Sequence, residues 1–165
     1  RSPESLISGV RRPMPKENKC LVVDANILIG GVLGKRILEV IEELDEIKLF
    51  TPETSFNDAL EHLPRILQER GGHQGFSETK TNEIIQTALE RLERLRGVVE
   101  MVEKTDYAHM RERAIKRLPR DPEDWDLVAL ALTLDAPIWT KDKDFIGSGI
   151  ATWTTQTVLF YAQEE

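Results

Sequence analysis

The sequence predicts an α/β protein: one domain, an α/β/α sandwich around a central, mostly parallel five-stranded sheet. Three observations predict it. Short apolar runs rich in valine and isoleucine alternate with longer amphipathic runs of helical period. Acidic residues stand at the ends of the short runs, the edge where ligands gather in parallel sheets. The 165 residues are 40% apolar and 31% charged, an ordinary composition for a single domain with a real core.

Each element has its own signal. Leu21-Val22-Val23 reads as a buried strand ended by Asp24. Ile27 to Leu33 and Ile37 to Leu44 read as helical segments, broken by Gly30-Gly31 and Gly34. Lys48-Leu49-Phe50 is the second strand, after which Thr51 and Pro52 predict an N-cap and a first-turn proline. The helix they open buries Phe56, Ala59, Leu60, Leu63 and Leu67, and Gly71 to Gly75 is expected as a loop. Ser77 to Arg96 is a long amphipathic helix, Val98 to Val102 the third strand, and Tyr107 to Leu118 another helix. Asp121-Pro122 starts a helix that runs to about Leu134, with Asp121 as its N-cap. Pro137 to Thr140 and Ala151 to Thr154 are the fourth and fifth strands, and Val158 to Ala162 a last short helix.

Bulk properties narrow the function. No apolar stretch approaches the roughly 18 residues of a membrane span. Residues 1–19 form a polar N-terminal extension without the apolar core of a signal peptide, and the folded domain is expected at residues 20–165. Because the chain begins at Arg1 rather than Met, part of that extension is expected to be flexible, truncated or cloning-derived sequence. The single Cys20 suits a reducing cytoplasm. A net charge of -7 argues against a protein that coats nucleic acid, yet Arg111, Arg113, Lys116, Arg117 and Arg120 make one local basic stretch. Of these, Arg113, Lys116, Arg117 and Arg120 are candidate contacts to a phosphate backbone; a solvated helix face is the plainer alternative.

The acidic residues carry the chemistry. Asp24 and Asp142 follow strands directly, while Asp58 and Asp124 lie in the first turns of helices that begin near the same edge. Two like charges about 4 Å apart repel by roughly 4 kcal/mol at an effective dielectric near 20. A divalent cation among them is the economical explanation, and carboxylate-held metals usually serve phosphate chemistry. On the helix after Asp121, a rotation of about 100° per residue sets Leu127, Val128, Ala131 and Leu134 within about 80° of Asp124. The same count sends Asp126 to the far, solvent side. On the earlier helix, periodicity does not choose between Asp58 and Glu53. His62 lies near Asp58, but three scattered histidines argue against histidine-rich zinc coordination.

Four elements in order resemble a PIN domain, in particular the toxin nucleases of VapC type. They are Leu21-Val-Val-Asp24-Ala-Asn26, Thr51-Pro52-Glu-Thr-Ser-Phe-Asn-Asp58, Asp124-Trp-Asp-Leu127-Val-Ala129 and Trp139-Thr140-Lys-Asp142-Lys-Asp144-Phe145. The resemblance spans about Cys20 to Gln163. It implies a Mg²⁺- or Mn²⁺-dependent endoribonuclease with Asp24, Asp58, Asp124 and Asp142 as its acidic tetrad, of which Asp24, Asp124 and Asp142 hold metal. The second acid in this family is usually Glu, so Asp58 shortens that arm by one methylene. Asn26 and Thr140 would orient the carboxylates, and Asp144 would be an auxiliary group. The resemblance further implies RNA as substrate, an antitoxin chain as partner, and a homodimer.

Two rivals differ in class. Val-Val-Asp24-Ala-Asn26 is faintly similar to the opening motif of haloacid-dehalogenase-like phosphatases, but those need a second Asp where Asn26 stands. A non-catalytic PIN-like module would hold metal, RNA or a partner through the same acids without turnover.

Overall fold

The computed structural model describes residues 19–164. The predicted extension therefore lies outside the described residues as far as position 18. Lys19 itself is tied into the fold: its carbonyl accepts from Lys48 N, and its ammonium reaches the carbonyls of Tyr161 and Glu164.

Among the described residues, five strands form one sheet: β1 (Cys20–Val23), β2 (Lys48–Pro52), β3 (Val99–Val102), β4 (Ile138–Trp139) and β5 (Thr152–Trp153). All neighbours are parallel and the order is β3-β2-β1-β4-β5. The chain therefore builds outward from β1 on one side, then returns to its other side with β4. That reversal leaves a crevice beyond the carboxyl ends of β1 and β4.

The helices are α1 (Ala25–Leu33), α2 (Arg36–Glu43), α3 (Glu53–His73), α4 (Glu78–Leu95), α5 (Lys104–Tyr107), α6 (Arg111–Lys116), α7 (Trp125–Leu134) and α8 (Val158–Gln163). Alternation along the strands divides the core into two layers. Leu21 and Val23 of β1 and Trp139 of β4 pack with Ile27, Phe56, Leu63 and Leu92 under α1 to α4. Val22 and Ile138 pack on the opposite face with Tyr107, Leu127, Val128 and Leu130, under α5 to α7. The α/β/α sandwich is the predicted one.

Several local expectations are corrected. Thr51 and Pro52 belong to β2, paired with Met101 and Val102, and the Thr51 hydroxyl donates to the Val23 carbonyl at 2.8 Å instead of capping a helix. Pro52 becomes the N-cap itself, at the last position of β2. Leu60 is 37% exposed rather than buried, while Phe56, Ala59, Leu63 and Leu67 do form the inner face. The expected Gly71 to Gly75 loop is largely helix, because Gly71 lets α3 approach α4: a β-carbon there would lie 2.5 Å from the Thr81 hydroxyl. The expected helix from Tyr107 to Leu118 is instead two short helices joined by a 3-10 turn over Ala108–Met110. Asp121 makes no side-chain capping bond, and Pro122–Asp124 form a 3-10 turn ahead of α7. Asp135 closes α7 in the left-handed region at φ 49°, which aspartate tolerates better than most residues.

Candidate functional site

Asp24 is fixed by its position between a strand and a helix. Its backbone N–H donates to the Trp139 carbonyl at 3.1 Å, extending the β1–β4 ladder by one residue. Its side chain then caps α1, with Oδ1 accepting from Ala25 N at 2.7 Å. Oδ2 accepts from the Thr140 hydroxyl at 2.6 Å and from Asn26 Nδ2 at 3.2 Å. Hydrogen bonds to a charged group contribute about 1.5–3 kcal/mol each, so this carboxylate is firmly oriented.

The same threonine links the fourth motif. Thr140 is buried, and its Oγ1 accepts from Asp142 N at 2.9 Å while donating to Asp24. Asp142 Oδ1 accepts in turn from Asp144 N at 2.9 Å, starting the turn over Lys143–Phe145. Asn26 Oδ1 accepts from Lys141 N at 3.3 Å, which closes a bridge between α1 and the loop after β4. Asn26, Thr140, Asp24, Asp142 and Asp144 thus form one connected network at the β1–β4 crevice.

The opposite wall comes from α3 and α7. Asp24, Asp58, Asp124 and Asp126 line one cleft of about 90 Å³, together with Thr54 and Ser55. Asp126 is the residue that helical periodicity misplaced. Rather than facing solvent, its Oδ2 accepts from the Thr54 hydroxyl at 3.1 Å, and its Oδ1 is buried without a hydrogen-bond partner. Tyr107 lies alongside, its hydroxyl also buried and unbonded. The Thr54 hydroxyl and the Asp126 carboxylate are near enough to influence its ionisation without reaching bonding geometry with it. Burial first, and then the charges of Asp126 and Glu53, push the Tyr107 phenol up to about 12.

Glu53 and Asp58 fall in different places. Asp58 lines the acidic cleft, whereas Glu53 lines a wider cleft of about 790 Å³ over the β2–β3 side, with Lys48, Arg96 and Glu100. The larger cleft holds none of Asp24, Asp58, Asp124 and Asp142. Volume is therefore no guide to the chemistry in this molecule. His62 turns back on its own helix, 2.7 Å from the Asp58 carbonyl.

The carboxylates feel one another. Burial raises the Asp24 carboxyl above its usual range, against the bonds from Thr140 and Ala25, and Asp142 and Asp58 raise it further. Burial and the charges of Asp121, Asp24, Asp142 and Asp144 push Asp124 up to about 6. Asp58 is raised mainly by burial, and the exposed Asp144 mainly by Asp142. Among the described residues, no lysine or arginine pairs with any of these acids within 4.0 Å; the ion pairs lie elsewhere, on exposed helix faces. Arg120 is near enough to Asp144 to oppose its shift.

Of the basic candidates, Arg113 and Lys116 are exposed on and beside the last turn of α6. Arg117 is engaged within the fold, its Nη1 donating to the Ser148 carbonyl at 2.8 Å.

The donor set fits a hard divalent cation: oxygen ligands only, clustered like charges, and one buried carboxylate oxygen left without a donor. Among the described residues, no three acidic, histidine or cysteine side chains close on one point tightly enough to hold an ion as they stand.

Comparison with known proteins agrees with this architecture. The family model for the PIN domain matches residues 22–163. No curated protein matches the chain. Among solved structures, the crystal structure of PAE2754 from Pyrobaculum aerophilum is similar with a TM-score of 0.60 and 15% identity, covering 89% of this chain and 92% of that one. At that identity the likeness concerns the fold.

Proposed function

The chain belongs to the PIN domain family, whose members are in general metal-dependent nucleases, and from that premise we propose that it is a Mg²⁺- or Mn²⁺-dependent endoribonuclease hydrolysing RNA phosphodiester bonds. The observation that carries the reading is the crevice between β1 and β4, where a hydrogen-bonded Asp24–Thr140–Asp142 network faces Asp58, Asp124 and Asp126.

In this reading Asp24, Asp124 and Asp142 hold the cation, and Asp58 completes the tetrad from α3. Asp126 joins them as a fifth acid lining the same cleft, with one buried carboxylate oxygen that has no hydrogen-bond partner. When bound, the cation would activate a water at neutral pH and neutralise charge on the phosphate in an in-line displacement. Asn26 and Thr140 keep Asp24 in one rotamer, so its oxygens need no reorganisation on binding. Burial and neighbouring acids hold the Asp124 carboxyl near 6 in the metal-free chain, and a cation bound beside it would lower it again. The similarity to VapC-type nucleases extends the proposal to the toxin of a toxin–antitoxin pair, with an antitoxin chain covering the cleft and a homodimer in solution.

The test is cleavage of total RNA with Mg²⁺ or Mn²⁺ by the wild type, Asp24→Asn and Asp142→Asn. Metal-dependent cutting that both substitutions remove is the expected result. Equal cutting by all three proteins contradicts it, and metal binding without cutting of any RNA favours a non-catalytic module.

A further inference from the structure

Trp125 stands between Asp124 and Asp126 in the chain and is half-buried at the start of α7. Two cations lie over its ring, the Lys104 ammonium and the Arg111 guanidinium, each 5.3 Å from the ring centroid. They come from different helices, α5 and α6, and both residues are exposed. Among the described residues neither forms an ion pair. Tyr107 packs against the same ring at 5.8 Å, tilted by 58°, and its buried hydroxyl lies close to the Asp126 carboxylate. Lys104 follows the end of β3, so the group stands at the carboxyl edge of the sheet, as the cleft does.

These cations answer an electrostatic problem. A chain with net charge -7 and a cleft of unpaired carboxylates repels a polyanion, so substrate approach needs a local positive field beside the acids. An aromatic ring flanked by mobile cations is the pairing that binds single-stranded nucleic acid: the ring stacks on a base, and the cations take phosphates. We propose that Trp125, Lys104 and Arg111 form a platform for one unstacked nucleobase of a single-stranded RNA, adjoining the cleavage cleft. The base displaces the cations from the ring face, and they move onto the flanking phosphates. A duplex, whose base faces are hidden, does not use the platform. The proposal rests on the nuclease reading above and names the form of its substrate.

The experiment is anisotropy binding of a fluorescent single-stranded oligoribonucleotide of mixed sequence, with the matching duplex alongside. The full chain carries Asp24→Asn with Mg²⁺ present, so that the strand is bound without being cut. Trp125→Ala should weaken single-strand binding by about tenfold or more, while Trp125→Phe keeps most of it. Lys104→Gln with Arg111→Gln should lower the slope of log affinity against log salt by about 1.4, for two phosphates of a single strand. Quenching of tryptophan fluorescence by the strand should disappear in Trp125→Phe, which retains Trp139 and Trp153. The lysine and arginine changes are on exposed side chains and leave the packing of Trp125 in place. Unchanged affinity and salt slope in that double variant, or tighter binding of the duplex than of the single strand, overturns the platform. If wild type still cuts RNA with metal, the nuclease reading survives that failure. Absence of both cutting and binding overturns both.

Discussion

The two walls of the acidic cleft are built to different standards. On the β1–β4 side Asp24 and Asp142 are served by donors from the protein: Asp24 has Ala25, Asn26 and Thr140, and Asp142 has Asp144 N. On the α3–α7 side a single bond, Thr54 to Asp126, crosses the gap, and Asp126 Oδ1 has no partner. One wall is preorganised by dipoles that the chain supplies. The other is left to be completed by charge from outside. Burial is the first cause of the raised Asp24, Asp124 and Asp58 carboxyls on both walls, and the charges of neighbouring acids add to it.

Removing the anchor of the wired wall should have the largest effect. Asp24→Asn is expected to reduce metal-dependent cleavage at least about a hundredfold. Its metal-free melting temperature should fall only modestly, because asparagine still caps α1 and one repelling charge is gone, while the bonds from Thr140 and Asn26 to Oδ2 are lost. Paired cleavage and melting assays check both halves, and a protein that simply unfolds would undo the reading of Asp24 as a site residue.

Thr140→Val cuts the same wall at its centre. Asp24 Oδ2 loses its shortest bond and Asp142 N its acceptor. A loss of about 1–3 kcal/mol in stability and roughly tenfold or more in metal affinity is expected. Denaturant unfolding and Mn²⁺ titration measure the two.

The open wall should respond differently. Asp126→Ala is expected to weaken Mn²⁺ binding by about tenfold, with metal-free stability unchanged or improved, since an unsatisfied buried oxygen disappears. Asp126→Asn keeps an oxygen for the Thr54 hydroxyl and should fall between. Equal losses of metal-free stability at Thr140 and Asp126 would erase the distinction between the walls.

A smaller effect comes from pH. Asp124 titrates at about 6 in the folded protein, above the ordinary 3.8, so the unfolded chain gives up this proton first. Metal-free stability should therefore be highest below about pH 4 as far as this group is concerned. It is lost as pH rises through 6, by about 1–2 kcal/mol once partial exposure is discounted. Asp24 and Asp58 shift in the same direction. Stabilisation by added Mn²⁺ should run the other way and grow between pH 5 and 7.5, which melting curves at the two pH values will show.

The contrast also explains what could be read from the sequence. The wired wall was readable because its parts are local: a strand, an Asp at its end, an Asn two residues on, and a Thr before the next Asp. The sandwich and its parallel sheet were readable for the same reason. Asp126 was not. Wheel counting assumed a regular helix through Asp121, but Pro122–Asp124 are a 3-10 turn, and first-turn side chains fan around a helix end rather than along one flank. Its partner Thr54 is 72 residues away, beyond any local pattern. Thr51 and Pro52 were misread likewise, because pairing with β3 and the bond to Val23 are tertiary and outweigh a good capping signal.

The measurement that tests the account most directly is calorimetric titration of Mn²⁺ into wild type, Asp24→Asn, Asp124→Asn and Glu53→Gln at pH 7.5. Binding to wild type and Glu53→Gln, with loss in Asp24→Asn and Asp124→Asn, is the predicted result. Equal binding by all four proteins, or loss in Glu53→Gln alone, would contradict a cation site in the crevice between β1, β4, α3 and α7.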